Sequence, residues 1–471
     1  MASSPESSVK KPTIGSGTGS GVWRKVELTV LFTYAGCFLA TVLFKSMSVS
    51  TEYDSVSKAG WLWGLKQGWI MNRKVDLSDS QWRNFRSNLP VLAVVMGSFT
   101  AVGQILRSTF QLRRRGMSWF WLTLSLVYIV YLHGASVLFI LAIALGNYYV
   151  VKCKLDMTTS SLVCCKVMLR LVSFGLDFHW AQLARISTTN WEEVALKDED
   201  YNVVTYLAYL LFAPLYVAGP TISYNAFASQ LDLPQKSESN SRVFIYGLRW
   251  ILCMALMEFL THFCYFNSLA ISGVWQKLSP LEVFIVGYGV GGVETPENML
   301  RCVNNCYDLE GFWKSWHASY NRWLVRYMYI PLGGNKWRML NVWIIFTFVA
   351  VWHDLEWKLL SWAWVTCLLW VPELSIKHLM KTKPMQPFKT THWYTECCAI
   401  AGAMNISGLM VANLVGFVVG PSGIWVLASL LFTVQTIPVL VGVFITFYVG
   451  SKIMFYKREL ERASHGKIVT D

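Results

Sequence analysis

Residues 117–151 read MSWFWLTLSLVYIVYLHGASVLFILAIALGNYYVV, and these 35 residues hold no Asp, Glu, Lys or Arg. One α-helix crosses the hydrocarbon core of a bilayer in about 20 residues. The stretch therefore reads as two tightly linked spans, or as one span and a re-entrant segment. Arg113-Arg114-Arg115 stand just before it. A basic run at the mouth of an apolar run is the mark of a cytosolic loop, because positive charge is retained on that side.

Working outward, the whole chain has the same character. Of its 471 residues 54% are apolar and only 15% charged, against about 25% charged in soluble domains. This excludes a disordered chain, a collagen-like fibre and a small disulfide scaffold, and argues against an ordinary soluble enzyme. The expected fold class is all-α, a polytopic membrane protein with roughly 9–11 spans by the 20-residue rule, plus re-entrant segments. The formal charge of +13 sits in short runs between apolar stretches. It suits anionic headgroups rather than nucleic acid. The eleven cysteines include no C-x-x-C. Cys302 and Cys306 lack the paired histidines of a zinc site, so no metal is expected.

Residues 1–21 are rich in Ser, Gly, Lys and Pro and read as a disordered cytosolic tail. A single membrane domain is expected over 22–452, with its core at 200–375, and an exposed tail over 453–471. The first span, Val26 to Phe44, reads as uncleaved, with the N-terminus in the cytosol. Residues 45–88 read as a polar loop, whose Trp61, Trp63 and Trp69 suit a membrane–water boundary. Leu89 to Leu106 is the second span. Leu162 to Phe178 carries Arg170 and Asp177 and reads as partly interfacial. Tyr206 to Val217, followed by Gly219-Pro220, reads as a broken helix. Later spans are read at 243–266, 340–352, 359–374, 397–419 and 424–449, with a short Gly-rich run at 281–293.

Ionisable groups in apolar surroundings are expensive and mark function. His353 ends the run Phe348-Val349-Ala350-Val351-Trp352-His353, with Asp354 next to it. A neutral imidazole there can serve as a base; it can equally be an interfacial helix end. His317 lies 36 residues upstream. Arg322 and Arg326 are four apart, on one helix face, and suit either phosphate binding or the headgroup region. Glu258 and His262, also four apart, read best as a structural pair. His133, beside Gly134, marks a break between spans. Asn405-Ile406-Ser407 is a sequon inside an apolar run and reads as coincidence.

The segment GFWKSWHASYNRWLVRYMYIPLGG (311–334) followed by FTFVAVWHDLEWKLLSWAW (346–364) resembles the membrane-bound O-acyltransferase (MBOAT) family. Within it, the likeness is to the glycerol-uptake-protein-like and Hedgehog-acyltransferase-like branch. YLLFAPLYVAGPTISYNAFASQ (209–230) and GVETPENMLRC (292–302) add to it. The resemblance implies helices around a tunnel through the membrane, with acyl-CoA as co-substrate, no bound cofactor, and an acceptor reached from the lumen or the bilayer. It places His353 at the catalytic histidine and His317 at the second active-site position. It implies Arg322, Arg326, Lys336 and Arg338 at the CoA phosphates, and Trp316, Tyr329 and Trp352 along the tunnel. His317 matches the glycerol-uptake-like branch; the Hedgehog-acyltransferase branch has Asp there.

The implied activity is transfer of a long acyl chain to a lipid hydroxyl in the endoplasmic reticulum, as in remodelling of lyso-glycosylphosphatidylinositol (GPI) anchors. Protein acylation, polyol transport and a non-catalytic homologue stand as alternatives. One departure is visible. Ser279-Pro280 reach Glu294 through GYGVGGVE, where this branch carries about one helix more.

Overall fold

The computed structural model describes residues 20–54, 60–153, 165–183, 196–217, 221–231, 239–283, 305–420 and 433–468, with isolated positions between 420 and 433. It is helical almost throughout. In lipid every backbone N–H and C=O must be paired internally, which leaves helices as the economical solution for such a sequence. Among the described residues, seven helices are long and apolar enough to cross a membrane.

Helix α1 (Ser20–Asp54) is the first of these. It and the last helix, here α16 (Ile437–Ile468), run side by side in opposite directions. Arg24 pairs with Glu459 at one end, and the Tyr34 hydroxyl meets Thr446 Oγ1 at 2.9 Å in the middle. The start of α1 and the end of α16 thus share one face. Past Lys452, where an exposed tail is expected, the helix instead continues and packs. Arg458 is buried and donates to the Asn305 carbonyl at 2.5 Å.

The polar stretch 45–88 also departs from the simple loop expected. α1 extends to Asp54 and α2 (Ser80–Ser108) starts early, its N-terminus capped by Asp79, which accepts from Trp82 N at 2.8 Å. Between them lies an antiparallel hairpin, β1 (Leu65–Gln67) with β2 (Lys74–Asp76), in register Lys66 with Val75. Hydropathy cannot see such an element, because it is only half apolar.

The 35-residue run divides as expected into α3 (Arg114–His133) and α4 (Ser136–Lys152). Gly134 makes the break at φ 55°, ψ −134°, a conformation glycine adopts without steric cost. α5 (Cys165–Leu183) lies against α6 (Val203–Leu211) and α8 (Tyr224–Ser229), and α7 (Ala213–Val217) continues α6 past its break at Phe212.

That break explains Arg170. Its Nη1 donates to the carbonyls of Tyr209 (3.3 Å) and Leu210 (2.7 Å), which a broken helix leaves unpaired. Around it Phe174, Tyr201, Tyr206, Tyr209 and Tyr224 are wholly buried and form an aromatic core. α9 (Asn240–Phe263), capped by Ser239, leads to α10 (Phe266–Ile271). The second half comprises α11 (Leu309–Ser315), α12 (Ala318–Leu324), α13 (Arg338–His353), α14 (Trp357–Leu379) and α15 (His392–Leu414). The Gly-rich segment before Glu294 lies outside the described residues.

Candidate active site

α11 begins with an unusual cap. Its Leu309 and Glu310 amides donate to the Glu373 carboxylate of α14, at 2.7 and 3.2 Å. Asn405 Nδ2 of α15 donates to the same carboxylate at 3.0 Å, and Lys377 Nζ at 2.7 Å. Lys377 also reaches Asp308 (2.9 Å) and Glu310 (3.1 Å). A negative charge at a helix N-terminus satisfies orphan N–H groups and complements the helix dipole. Two helices, α14 and α15, thereby fix where α11 starts. The Asn405 amide is engaged inside the bundle, as the coincidental sequon implied.

Two residues past the end of α11 sits His317. Its φ of 42° and ψ of 54° are left-handed, a region few non-glycine residues occupy, although His is enriched among those that do. Strained backbone of this kind persists where surrounding structure holds it, often at functional sites. The turn directs α12 away from α11 and leaves the half-buried imidazole beside Trp316, ring centroids 5.0 Å apart.

His353 is the last residue of α13. Its ring lies 4.9 Å from Trp352, 5.9 Å from Trp362 and 6.2 Å from Phe417. The elements that carry His317 and His353 pack together: Tyr320 of α12 stacks on Trp352 of α13, ring centroids 4.5 Å apart, and Trp313 of α11 meets Trp362 at 5.7 Å. The fold therefore joins two histidines that the sequence separates by 36 residues. Among the described residues neither imidazole makes a hydrogen bond, so the ring nitrogens stay open to a reactant. The side chain of His353 is exposed. Asp354 does not orient it: Asp354 Oδ1 accepts from Leu355 N at 2.8 Å and faces outward.

Two π-helical turns follow neighbouring helices, and the second reaches His353 through Phe417. Val325–Tyr329 follows α12, and Val415–Val419 follows α15 and carries Phe417. Such turns recur at functional sites because they widen the helix and re-aim side chains. Gly416 lies against Trp362, whose Cβ would be 2.6 Å from a Cβ added there. Trp362 is in turn held by Asn413, which accepts from its Nε1 at 2.9 Å. Glycine is thus needed for the wall of His353 to close.

The basic residues divide. Arg326 is committed to Asp177: Nη2 lies 3.1 Å from Oδ1, and the Tyr327 hydroxyl donates to the same oxygen at 3.0 Å. The expected placement of Arg326 at CoA phosphates does not follow from this geometry. The π-turn breaks the i, i+4 register with Arg322 and aims Arg326 at α5. Arg338 pairs with Glu310 at 3.2 Å. Lys336 is exposed, its Nζ 5.7 Å from the Trp337 ring, and Arg322 is exposed on α12. Tyr329 closes its own loop by donating to Asn335 Oδ1 at 2.8 Å. Cys306 is buried; Cys302 lies outside the described residues.

This geometry meets an independent finding. The family model described as MBOAT, membrane-bound O-acyltransferase family, matches residues 108–290 and 285–416. The chain belongs to the MBOAT family. Among its relatives is the membrane-bound O-acyltransferase gup1 of Schizosaccharomyces pombe, 30% identical over 548 residues, covering 97% of this chain and 92% of the relative. GUP1 of Saccharomyces cerevisiae is 29% identical, covering 97% and 95%. The mouse protein-cysteine N-palmitoyltransferase HHAT matches less, at 26% identity over 44% of this MBOAT chain and 48% of its own. The two pieces of the family match meet at 285–290, within the segment where the sequence reading finds this chain short.

Three features escaped sequence reasoning. Glu373 drew no notice in the sequence, because its α11 partners are more than 60 residues away. Gly416 and Phe417 looked like ordinary span residues. A glycine in an apolar run beside aromatic residues is the only signal they offered.

Proposed function

We propose that this MBOAT protein transfers a long acyl chain from acyl-CoA to a hydroxyl of a lipid acceptor, in the endoplasmic reticulum membrane. A lyso-GPI anchor is the acceptor class the proposal favours. The observation that carries the reading is the meeting of His317 and His353, unpaired, at the junction of two short helices and the end of α13.

In this reading His353 takes the proton of the acceptor hydroxyl as the oxygen attacks the thioester carbonyl. A positioned base of this kind contributes about 10²–10⁴-fold. His317 donates toward the carbonyl oxygen as negative charge develops there. The C–S bond then breaks, the CoA sulfur leaves as thiolate and receives the proton held by His353, and the ester is complete. The aromatic side chains of Trp316, Trp352, Trp362 and Phe417 flank the thioester and limit the approach of water to it.

The placement of Lys336 and Arg338 supports the direction of entry. They stand at the start of α13 and His353 at its end. Fifteen rises of 1.5 Å separate Arg338 from His353, about 22 Å along the axis, a distance spanned by an extended phosphopantetheine arm together with the long side chains that hold its phosphates. Phosphates held at that end, which is the face of the chain termini, leave the thioester at His353. Lys336, Arg322 and Arg338 are the cations assigned to them. Arg326 is assigned to holding the site together.

The test is acyl transfer in membranes containing the protein, with labelled long-chain acyl-CoA and wild type beside His353→Ala. Label in a lipid that disappears in the variant supports the proposal. Label in a protein band would move the acceptor to a polypeptide. No label in either, with both proteins folded, would refute it.

A further inference from the structure

The C-terminal ends of α1 and α9 and the N-terminal end of α2 lie together on the face opposite that of Ser20 and Ile468, and the β1–β2 hairpin hangs between them. Its tip is a tight turn closed by Arg73 N donating to Ile70 O at 3.0 Å. Both central residues are left-handed, Met71 at φ 49° and Asn72 at φ 55°. Hairpins of this type favour Asn-Gly because glycine and asparagine tolerate that conformation. Here a methionine holds it, 81% exposed, with Trp69 beside it 70% exposed.

The tip does not stand off the bundle. Trp69 Nε1 donates to Glu258 Oε2 at 3.0 Å, and Arg73 Nε donates to the His262 carbonyl at 3.1 Å. Arg86 of α2 pairs with the same Glu258. His262 is wholly buried beneath Gly68, where a Cβ would lie 2.7 Å from its Nε2. These contacts fix the depth of the tip. Glu258 is five residues before the end of α9, about 7 Å inside it, and Arg86 is six residues past the start of α2, about 9 Å inside. None of the apolar window of α9 is buried by protein, and 11% of that of α2. Both helices present their flanks to lipid. The tip is therefore folded back along lipid-facing helices, with Trp61 and Trp63 exposed on its approach.

We propose that Trp69-Ile70-Met71 is an interfacial anchor, inserted at the headgroup–acyl boundary of the leaflet opposite the termini. The depth fits the 5–10 Å at which amphipathic elements seat in that boundary, and the indoles fit its preference for Trp. The backbone conformation at Met71 keeps an apolar side chain directed outward where a Gly-type turn would carry none. Of the hairpin's polar residues, Gln67 Nε2 donates to Asn72 Oδ1 at 2.7 Å, Lys74 pairs with Asp54, and Lys66 is exposed in β1, away from the tip. The anchor does not depend on acyl transfer.

The test places an environment-sensitive fluorescent amino acid at position 71 by codon suppression, in the full chain reconstituted in phosphatidylcholine nanodiscs. A second protein carries it at position 381, an exposed residue on the terminal face. The anchor predicts blue-shifted emission at 71, lost to a nitroxide lipid labelled near the headgroup and resistant to aqueous iodide. Position 381 should show the reverse. Quenching at 71 by iodide alone would place the tip in water and overturn the proposal. Resistance to both quenchers would place it under protein, a second copy or another chain, and would overturn it equally.

Discussion

Replacing Glu373 with Gln tests the link between the cap of α11 and the site. Every group facing this carboxylate is a donor: the Leu309 and Glu310 amides, Asn405 Nδ2 and Lys377 Nζ. A glutamine keeps one acceptor oxygen and turns an NH₂ toward donors. Two hydrogen bonds to a charged acceptor are lost, at about 1.5–3 kcal/mol each. Lys377 retains Asp308 and Glu310, so the net destabilisation should be about 2–4 kcal/mol rather than the full sum. The start of α11 loosens, and His317 lies two residues beyond its end. Misplacement of a reacting group by about 1 Å costs about 10²-fold. Glu373→Gln should therefore lower kcat about 100-fold, with the KM for acyl-CoA little changed, and lower Tm. The assay pairs release of free CoA thiol with thermal unfolding in one detergent. A Tm loss with full kcat would refute the coupling to His317. An unchanged Tm would refute the cap.

Three further outcomes follow from the same geometry. Gly416→Ala places a Cβ against Trp362 and should cut transfer by about 10-fold or more through displacement of the His353 wall; wild-type kinetics would show that the wall is not needed. His317→Asn should keep the left-handed turn and the fold while losing transfer, whereas His317→Val should cost a further ~1–2 kcal/mol of stability, and equal Tm values for the two would contradict strain at this turn. Glu310 is held down to about 2: burial alone raises its carboxyl, but hydrogen bonds from Lys314 and Lys377 outweigh it. Its folded value lies below the ordinary 4.5, so its stabilisation is complete above that pH and lost as pH falls from about 4.5 toward 2. Glu310→Gln should flatten the Tm-against-pH curve in that window, and an unchanged slope would show the cluster to be inert.

The spans were legible because burial in lipid leaves a long apolar signature. The break at Gly134 was legible from glycine and run length; the break at Phe212 was not, since the sequence signal for it stands at Gly219-Pro220, which lie outside the described residues. The hairpin at Leu65–Asp76 was not, since its residues alternate too briefly to stand out from a loop. His317 and His353 were legible as ionisable groups in apolar runs and by likeness to a family motif. Their meeting was not, because it depends on a left-handed turn at His317 and on a cap supplied by another helix. Arg326 shows the same limit from the other side. Its helical spacing with Arg322 suggested a shared ligand, but Asp177 and a π-turn decide where it points. Short-range periodicity reports faces, and long-range pairing decides which face is used.

The central claim is that His353 performs acyl transfer. The most direct measurement compares wild-type and His353→Ala protein, both verified as folded by Tm, for transfer of label from long-chain acyl-CoA to lipid. Loss of the labelled lipid, about 10²-fold or more, with Tm retained, is the predicted result. Equal transfer by a folded His353→Ala protein would contradict the account.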